Sequence, residues 1–266
     1  MLDVLEQRTL SDITGCAHDV EAVSPLGYAR YAHHYPGDLL DSILSEARRL
    51  AEHEWEARSA DRYLGLRHLR AAHRAIPAVE TLMHDSRRLR ALSELAGVEL
   101  EPYPITRAAS HINFYRPGEV PIDHHTDGAA MVELIPLHTS GSAQGGATLV
   151  HQGPPEEGRW LLGQEGALPA GRQAEIPQRV GHAVLMQGRR LLHSAQVLDD
   201  GERITLVLVM RSAAEPWKDG NSLARLLLDD PLEAVHDEWL RDQQYQARLH
   251  QGAGKWSVPA EPRSDP

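Results

Sequence analysis

Between positions 103 and 212 the sequence breaks into short apolar or alternating segments, and this stretch constrains the fold more than any other feature. The segments 111–115, 131–137, 147–151, 182–186 and 203–210 have the length and composition of strands rather than helices. Turn formers separate them: Pro117-Gly118, Ser140-Gly141, Gly145-Gly146, Gly153-Pro154-Pro155 and Asp199-Asp200-Gly201. The pattern predicts an all-β core. On its N-terminal side, Leu40, Ile43, Leu44, Ala47 and Ala51 recur at helical spacing, which predicts an amphipathic helix over 36–58. A second helical stretch is expected over 76–96, broken near Asp85-Ser86, with Ser86 capping the second part and Gly97 ending it. After Trp217 the chain returns to helix, with Leu223, Leu226, Leu227, Leu232, Val235, Trp239 and Leu240 as candidate buried positions before a Pro-rich tail expected to fray. The expected organisation is one domain in three parts: a mainly helical elaboration over 1–102, a β core over 103–212, and a helical extension and tail over 213–266.

Composition supports a globular chain and narrows its partners. A hydrophobic fraction of 41% suffices for a core, and with a single Phe that core must rest on Leu, Val, Ile and Ala. The formal charge of -11 repels nucleic acid. The arginines of the groups Arg62, Arg67, Arg70, Arg74 and Arg87, Arg88, Arg90 read as solvated helix faces rather than a basic patch. Cys16 is the only cysteine, so neither an intrachain disulfide nor a Cys-rich zinc site can form. With no signal-peptide pattern at the N-terminus and no apolar run of membrane-spanning length, a soluble cytoplasmic protein is expected, with no membrane partner.

The chemistry centres on His125-Thr126-Asp127. Mononuclear iron that must also bind a cosubstrate and O2 needs a site leaving about three coordination positions free, and two imidazoles with one carboxylate provide it. In extended backbone, residues two apart project to the same side, so His125 and Asp127 can share a metal. His124 is three positions from Asp127 and would point the other way. Alone, His-x-Asp also describes a surface turn. His193 follows a strand-like segment, and Arg203 and Thr205 share a strand face where a guanidinium and a hydroxyl can bind one carboxylate. The competing reading of Arg203 is a surface ion pair with Asp199 or Glu202.

The order His125-x-Asp127, His193, Arg203-x-Thr205, threaded through short strands, resembles the Fe(II)/2-oxoglutarate dioxygenase superfamily over about residues 107–212. Supporting matches are the segments 113–118, 145–149 and 180–185. The resemblance implies a double-stranded β-helix, a cupin-like jelly-roll barrel flanked by helices. It further implies Fe(II) held by His125, Asp127 and His193, with 2-oxoglutarate and O2 as cosubstrates and the distal carboxylate of 2-oxoglutarate on Arg203, Thr205 and Tyr115. Iron-dependent halogenases of this superfamily replace the carboxylate ligand by Gly or Ala, whereas Asp127 is present here. The text around 111–115 and 127–130 looks closest to the branch acting on free amino acids and similar metabolites.

His111, Asn113 and Glu133 have the strand parity to line the barrel mouth as substrate contacts, and Arg211 shares the parity of Arg203. Each can equally serve backbone groups or metal-ligand partners. His151 is open between core and surface. Segments 140–146 and 153–171 read as loops at one barrel end, with Trp160 as an anchor against the helical layer. The expected function is hydroxylation of a small metabolite, a free amino acid or natural-product intermediate. The alternatives are a protein side-chain hydroxylase and a cupin-like metal or ligand binder without turnover. The helical flanks offer surface for a homodimer.

Overall fold

The computed structural model describes residues 2–58, 67–118, 123–140 and 145–253. Arg62, the centre of the 140–146 segment and the Pro-rich tail lie outside them.

Each expected core segment forms a strand, and their partners explain the apolar pattern. The strands are β1 (Asp3–Thr9), β2 (Leu26–Ala32), β3 (Arg67–Arg70), β4 (Leu100–Pro102), β5 (Ser110–Tyr115), β6 (Met131–Thr139), β7 (Thr148–His151), β8 (Gln173–Ile176), β9 (His182–Met186), β10 (His193–Ala195) and β11 (Arg203–Ser212). A large antiparallel sheet runs in the order β1-β2-β9-β6-β11-β5-β3, with β4 also pairing β11, and a small one in the order β10-β7-β8. The segment at His125 pairs with His193 on the free edge of β10. The chain therefore winds alternately between sheets: β5 large, His125 small, β6 large, β7 and β8 small, β9 large, β10 small, β11 large. That winding is a double-stranded β-helix.

β11 is central, and all ten of its residues are buried. Its two faces differ in chemistry. Ile204, Leu206, Leu208 and Met210 face away from the barrel interior and are buried in one core with Ile43, Val79 and Leu92, from helices α2 (Gly37–Arg58), α4 (Pro77–Met83) and α5 (Ser86–Ala96). Two shorter helices, α1 (Leu10–Thr14) and α3 (Ala72–Ala75), precede α2 and α4 respectively. Each buried leucine stabilises the fold by roughly 2 kcal/mol. The alternate residues Arg203, Thr205, Val207 and Val209 share the opposite face, where Val207 and Val209 line a cavity.

The structure departs from the sequence expectations at several places. The first 102 residues hold helices, but β1 and β2 extend the large sheet beyond β9. Asp85, not Ser86, caps α5, accepting from the backbone N–H of Arg87 (2.7 Å) and Arg88 (3.1 Å), while Gly97 ends it at φ 69°. The expected 153–171 loop contains helix α7 (Pro155–Glu165), following the short α6 (Thr106–Ala109), and leads into β8. Pro155 and two glutamates in the first turn favour that start, and Gly166 at φ 72° the end. Trp160 projects outward, 61% exposed, and anchors nothing. At the C-terminus, α8 (Leu223–Leu226) and α9 (Leu232–Ala253) are separate, so one apolar stripe does not run through both: Leu226 and Val235 are buried, while Leu227, Leu232 and Leu240 are exposed.

Two expected substrate contacts are structural instead. Glu133 lies between Val132 and Leu134, which line the cavity, so it points to the opposite face. There it accepts from the hydroxyls of Tyr31 and Tyr35 (both 2.5 Å) and from Arg88 Nε (2.7 Å) and Nη2. Burial and the facing carboxylate push both phenol pKa values up, which keeps them donors. Arg88 is thus a buried ion-pair partner, not part of a solvated face. Arg211 has the inward parity but lies beyond the cavity, bonded to Glu101 (2.7 Å) on β4 and to Asp242 on α9. Among the described residues no helix is long and apolar enough to cross a membrane.

Candidate metal centre

His125 and His193 are 68 positions apart, yet two reciprocal backbone hydrogen bonds, of 2.8 and 2.9 Å, set them directly opposite each other. Their side chains therefore emerge on the same face, with ring centroids 4.3 Å apart. Asp127 is fixed by its own N–H, which donates to the Gly188 carbonyl at 3.0 Å. Its Oδ1 lies 3.5 Å from His125 Nε2 and 3.7 Å from His193 Nε2. All three ligand atoms lie within 4.8 Å of one another, close enough to share one metal ion.

The tautomers suit that role. His125 Nδ1 lies 2.7 Å from the Asp123 carbonyl and His193 Nδ1 2.9 Å from the Leu191 carbonyl. A carbonyl only accepts, so each ring carries its proton on Nδ1 and presents the Nε2 lone pair. Burial, then the neighbouring His125, pushes the His193 pKa down to about 4, which favours the neutral ligand form. Burial works to raise Asp127, but the two histidines outweigh it and bring the carboxyl to about 2. His125 is depressed by burial and raised more by its contact with Asp127, for a net upward shift. One carboxylate shared by two rings is a site where a cation replaces a proton.

Sequence reasoning missed Gly188. A Cβ there would lie 1.8 Å from Asp127 Oδ2, so only glycine leaves room for the carboxylate. Its φ is not in the left-handed region, so space and not backbone conformation requires it. His124 points away from the group, with its Nδ1 3.3 Å from Asp123.

Arg203 pairs in register with Tyr115 of β5, and Thr205 with Asn113. The guanidinium carbon sits 3.8 Å from the Tyr115 ring centroid, a cation–π contact. Arg203 is 3% exposed, and its Nε and Nη1 have no hydrogen-bond partner among the described residues. Thr205 Oγ1 and Asn113 Oδ1 are likewise buried without partners. The surface ion pair does not form: Glu202 meets Arg48 at 3.0 Å instead. Burial pushes the Arg203 pKa down and Tyr115 offsets part of it. A buried cation beside hydrogen-bonding groups without partners among the described residues has the chemistry to accept an anion.

A cavity of about 230 Å³ is lined by His125, Asp127 and His193 and, on another side, by His111, Asn113 and Tyr115, the last two the strand partners of Thr205 and Arg203. His111 stays neutral, its pKa pushed down to about 3 by burial and then by nearby His68 and Arg70. Asn221, Arg225 and Leu226 close a third side, all from beyond the β core and none singled out by the sequence as ligand contacts. His151 is core, packed under Gly158 of α7.

No family model matches the sequence, and no curated protein matches it. Solved structures do. The epimerase SnoN, in complex with Fe3+, alpha ketoglutarate and nogalamycin RO, superposes with a TM-score of 0.55 at 18% identity, over 77% of this chain and 85% of that one. HygX from Streptomyces hygroscopicus, with nickel, 2-oxoglutarate and hygromycin B bound, gives 0.53 at 15% identity, over 70% and 83%. The carbocyclase SnoK, non-heme and alpha ketoglutarate dependent, gives 0.52 at 17%, over 78% and 87%. The fold is that of the Fe(II)/2-oxoglutarate oxygenases. Within this oxygenase fold, the His-Asp-His group and the unpartnered Arg203 both occupy inward positions around β11 and the small sheet.

Proposed function

We propose that this protein is an Fe(II)- and 2-oxoglutarate-dependent oxygenase that hydroxylates an unactivated C–H bond of a small metabolite, a free amino acid or natural-product intermediate. The observation that carries this reading is the pairing of two complementary donor sets in one barrel. Three ligand atoms converge within 4.8 Å of one another, and the buried Arg203 guanidinium, with Thr205 and Asn113 beside it, finds no carboxylate among the described residues. A divalent iron and a dicarboxylate satisfy both.

In this reading His125 and His193 would hold iron through Nε2 and Asp127 through its carboxylate, whose Oδ2 lies against Gly188. Arg203 and Thr205 hold the distal carboxylate of 2-oxoglutarate, and the Tyr115 ring beneath the guanidinium limits its movement. When bound, iron with 2-oxoglutarate and O2 supplies the oxidising power for attack on a C–H bond. The chain's part is aim and exclusion: the apolar walls from Val132, Leu134, Val207 and Val209 keep water away, and the polar wall at His111 orients the substrate. SnoN is described as an epimerase and SnoK as a carbocyclase, so substrate placement within this fold, not the fold itself, selects the outcome.

The test is succinate formation from 2-oxoglutarate by protein supplied with Fe(II) and ascorbate, screened against amino acids and nucleosides, with mass analysis of the stimulated reactions. A product heavier by one oxygen is expected. Full turnover retained by Asp127→Ala and His193→Ala would sink the ligand assignment.

A further inference from the structure

The third wall of the cavity rests directly on the loop that carries the candidate ligands. Gly220 N–H donates to the Gly128 carbonyl at 2.8 Å. Asn221 occupies the space a side chain at Gly128 would need, its Oδ1 1.5 Å from an ideal Cβ there. Arg225 Nη2 donates to the carbonyl of Thr126, the residue between His125 and Asp127. A side chain on this wall is therefore held at a fixed offset from the metal group.

The two arginines that line the cavity, Arg70 and Arg225, differ in their direct partners, and two carboxylates, Asp127 and Asp229, line it as well. Arg70 is neutralised by Asp230 at 2.5 Å and Asp229 at 3.4 Å, and Arg107 shares Asp230 at 2.5 Å. Arg225, the other arginine lining the cavity, meets no carboxylate among the described residues and is bonded only to a backbone carbonyl. Arg159 approaches the same residue from outside the cavity, donating to the Thr126 hydroxyl at 2.9 Å, also with no carboxylate partner among the described residues. Two unneutralised guanidiniums thus flank the ligand loop of a chain whose net charge is -11. An exposed arginine is ordinarily solvated, and that alone signals nothing. Arg225 is itself exposed, but it lines the cavity and is tethered through Nη2 to the ligand loop, so the rest of its donor fork is placed to bind an oxyanion there.

We infer that Arg225 recognises the substrate by an anionic group, a carboxylate or a phosphate, and so orients the carbon to be oxidised toward His125, Asp127 and His193. This rests on the oxygenase reading above and narrows its substrate class to small acids. Asn221 and neutral His111 supply hydrogen bonds on either side.

The experiment is calorimetric titration of the protein loaded with Mn(II) and 2-oxoglutarate under argon. One arm uses the proteinogenic L-amino acids, each against its carboxamide; the other uses glucose 6-phosphate and ribose 5-phosphate against the parent sugars. At least one anion is expected to bind roughly tenfold to a hundredfold more tightly than its neutral mate, the range of a charge-assisted contact, and the arm in which it falls identifies the group. In Arg225→Gln, which keeps an N–H for the Thr126 carbonyl, that preference should collapse while Mn(II) and 2-oxoglutarate affinities hold. Arg225→Lys should restore part of it. The inference is overturned if no anion is preferred, if the preference survives in Arg225→Gln, or if that variant loses metal or cosubstrate instead. Wild-type protein that binds neither Mn(II) nor 2-oxoglutarate would overturn the oxygenase reading itself, a result visible before any substrate is added.

Discussion

Replacing Gly188 by alanine is expected to weaken metal binding by about 10–100-fold and leave the fold in place. The new Cβ would lie 1.8 Å from Asp127 Oδ2 and 2.7 Å from Cγ. Ordinary contact begins at 3.4 Å, so the carboxylate must retreat by about 1.6 Å or the Gly188 backbone must move. The backbone is pinned. Its carbonyl accepts from Asp127 N–H, and the preceding Gln187 is buried, accepting from Val23 N–H at 2.8 Å and donating to the Ser24 and Leu26 carbonyls at 2.9 Å. The carboxylate yields. A metal site tolerates ligand displacements of only about 0.2 Å. Disturbing a ligand's support typically weakens binding by roughly 10–100-fold, or about 1.4–2.7 kcal/mol. Calorimetric titration with Mn(II) reads that change, and circular dichroism checks the fold. Gly163→Ala, on the exposed face of α7 with nothing within 4 Å, is the control: it should leave affinity unchanged and stabilise the helix by about 0.5–1 kcal/mol. A folded Gly188→Ala protein with wild-type affinity for Mn(II) would refute the reasoning.

Arg203→Met should lower 2-oxoglutarate affinity by about 10–100-fold without lowering metal-free stability, because the lost charge is buried and has no carboxylate partner among the described residues; an unfolding free energy in urea lowered by several kcal/mol would contradict this. Glu133→Gln should do the reverse, leaving Mn(II) affinity alone while destabilising the protein by about 3–5 kcal/mol, since Arg88 would lose its buried partner; unchanged urea stability would disprove it. In metal-free protein, the His111 pKa of about 3 and the His193 pKa of about 4 lie below the unfolded value, near 6.5. The unfolded chain then takes up protons first, so stability is expected to fall as pH drops below about 6.5, by up to about 1.4 kcal/mol per pH unit for each histidine. The raised His125 offsets part of that, and Asp127, at about 2, titrates below the window. Urea midpoints at pH 7, 6 and 5 test the sign, and a flat series would count against it.

The strands of the core were legible because each alternates or runs apolar over its own few residues, a property local to the chain. The pairing that makes the site was not: nothing in the text around His125 specifies that it bonds to the backbone of His193. Parity misled at Glu133, because β6 is buried on both faces and a polar residue there can face either. The aromatic hydroxyls and Arg88 that satisfy it come from distant elements. Helix α7 carried legible signals, proline at the start and glycine at the end, within a stretch expected to be a loop, and it holds Gly158 and Gly163 in its interior. The small residue is explained by close approach: Gly158 lets α7 lie against His151 and Leu192, where a Cβ would stand 2.4 Å from the leucine side chain.

The arginines separate structure from function more sharply than position does. Arg88, Arg203 and Arg211 are all nearly inaccessible, and all three carry a desolvation penalty of several kcal/mol. For Arg88 the chain supplies Glu133, and for Arg211 it supplies Glu101 and Asp242. Each of those ion pairs fastens a helix or strand to the sheet, and each closes within the protein. Among the described residues Arg203 receives only an aromatic face, and the Thr205 hydroxyl and the Asn113 Oδ1 beside it are also without partners. Folding alone gives no reason to keep it, since methionine would fill the same volume without the penalty. The anion proposed for this site would, by supplying the charge-assisted partner that the described residues do not. By the same test Arg70, buried to about nine-tenths and paired with Asp230 and Asp229, is structural.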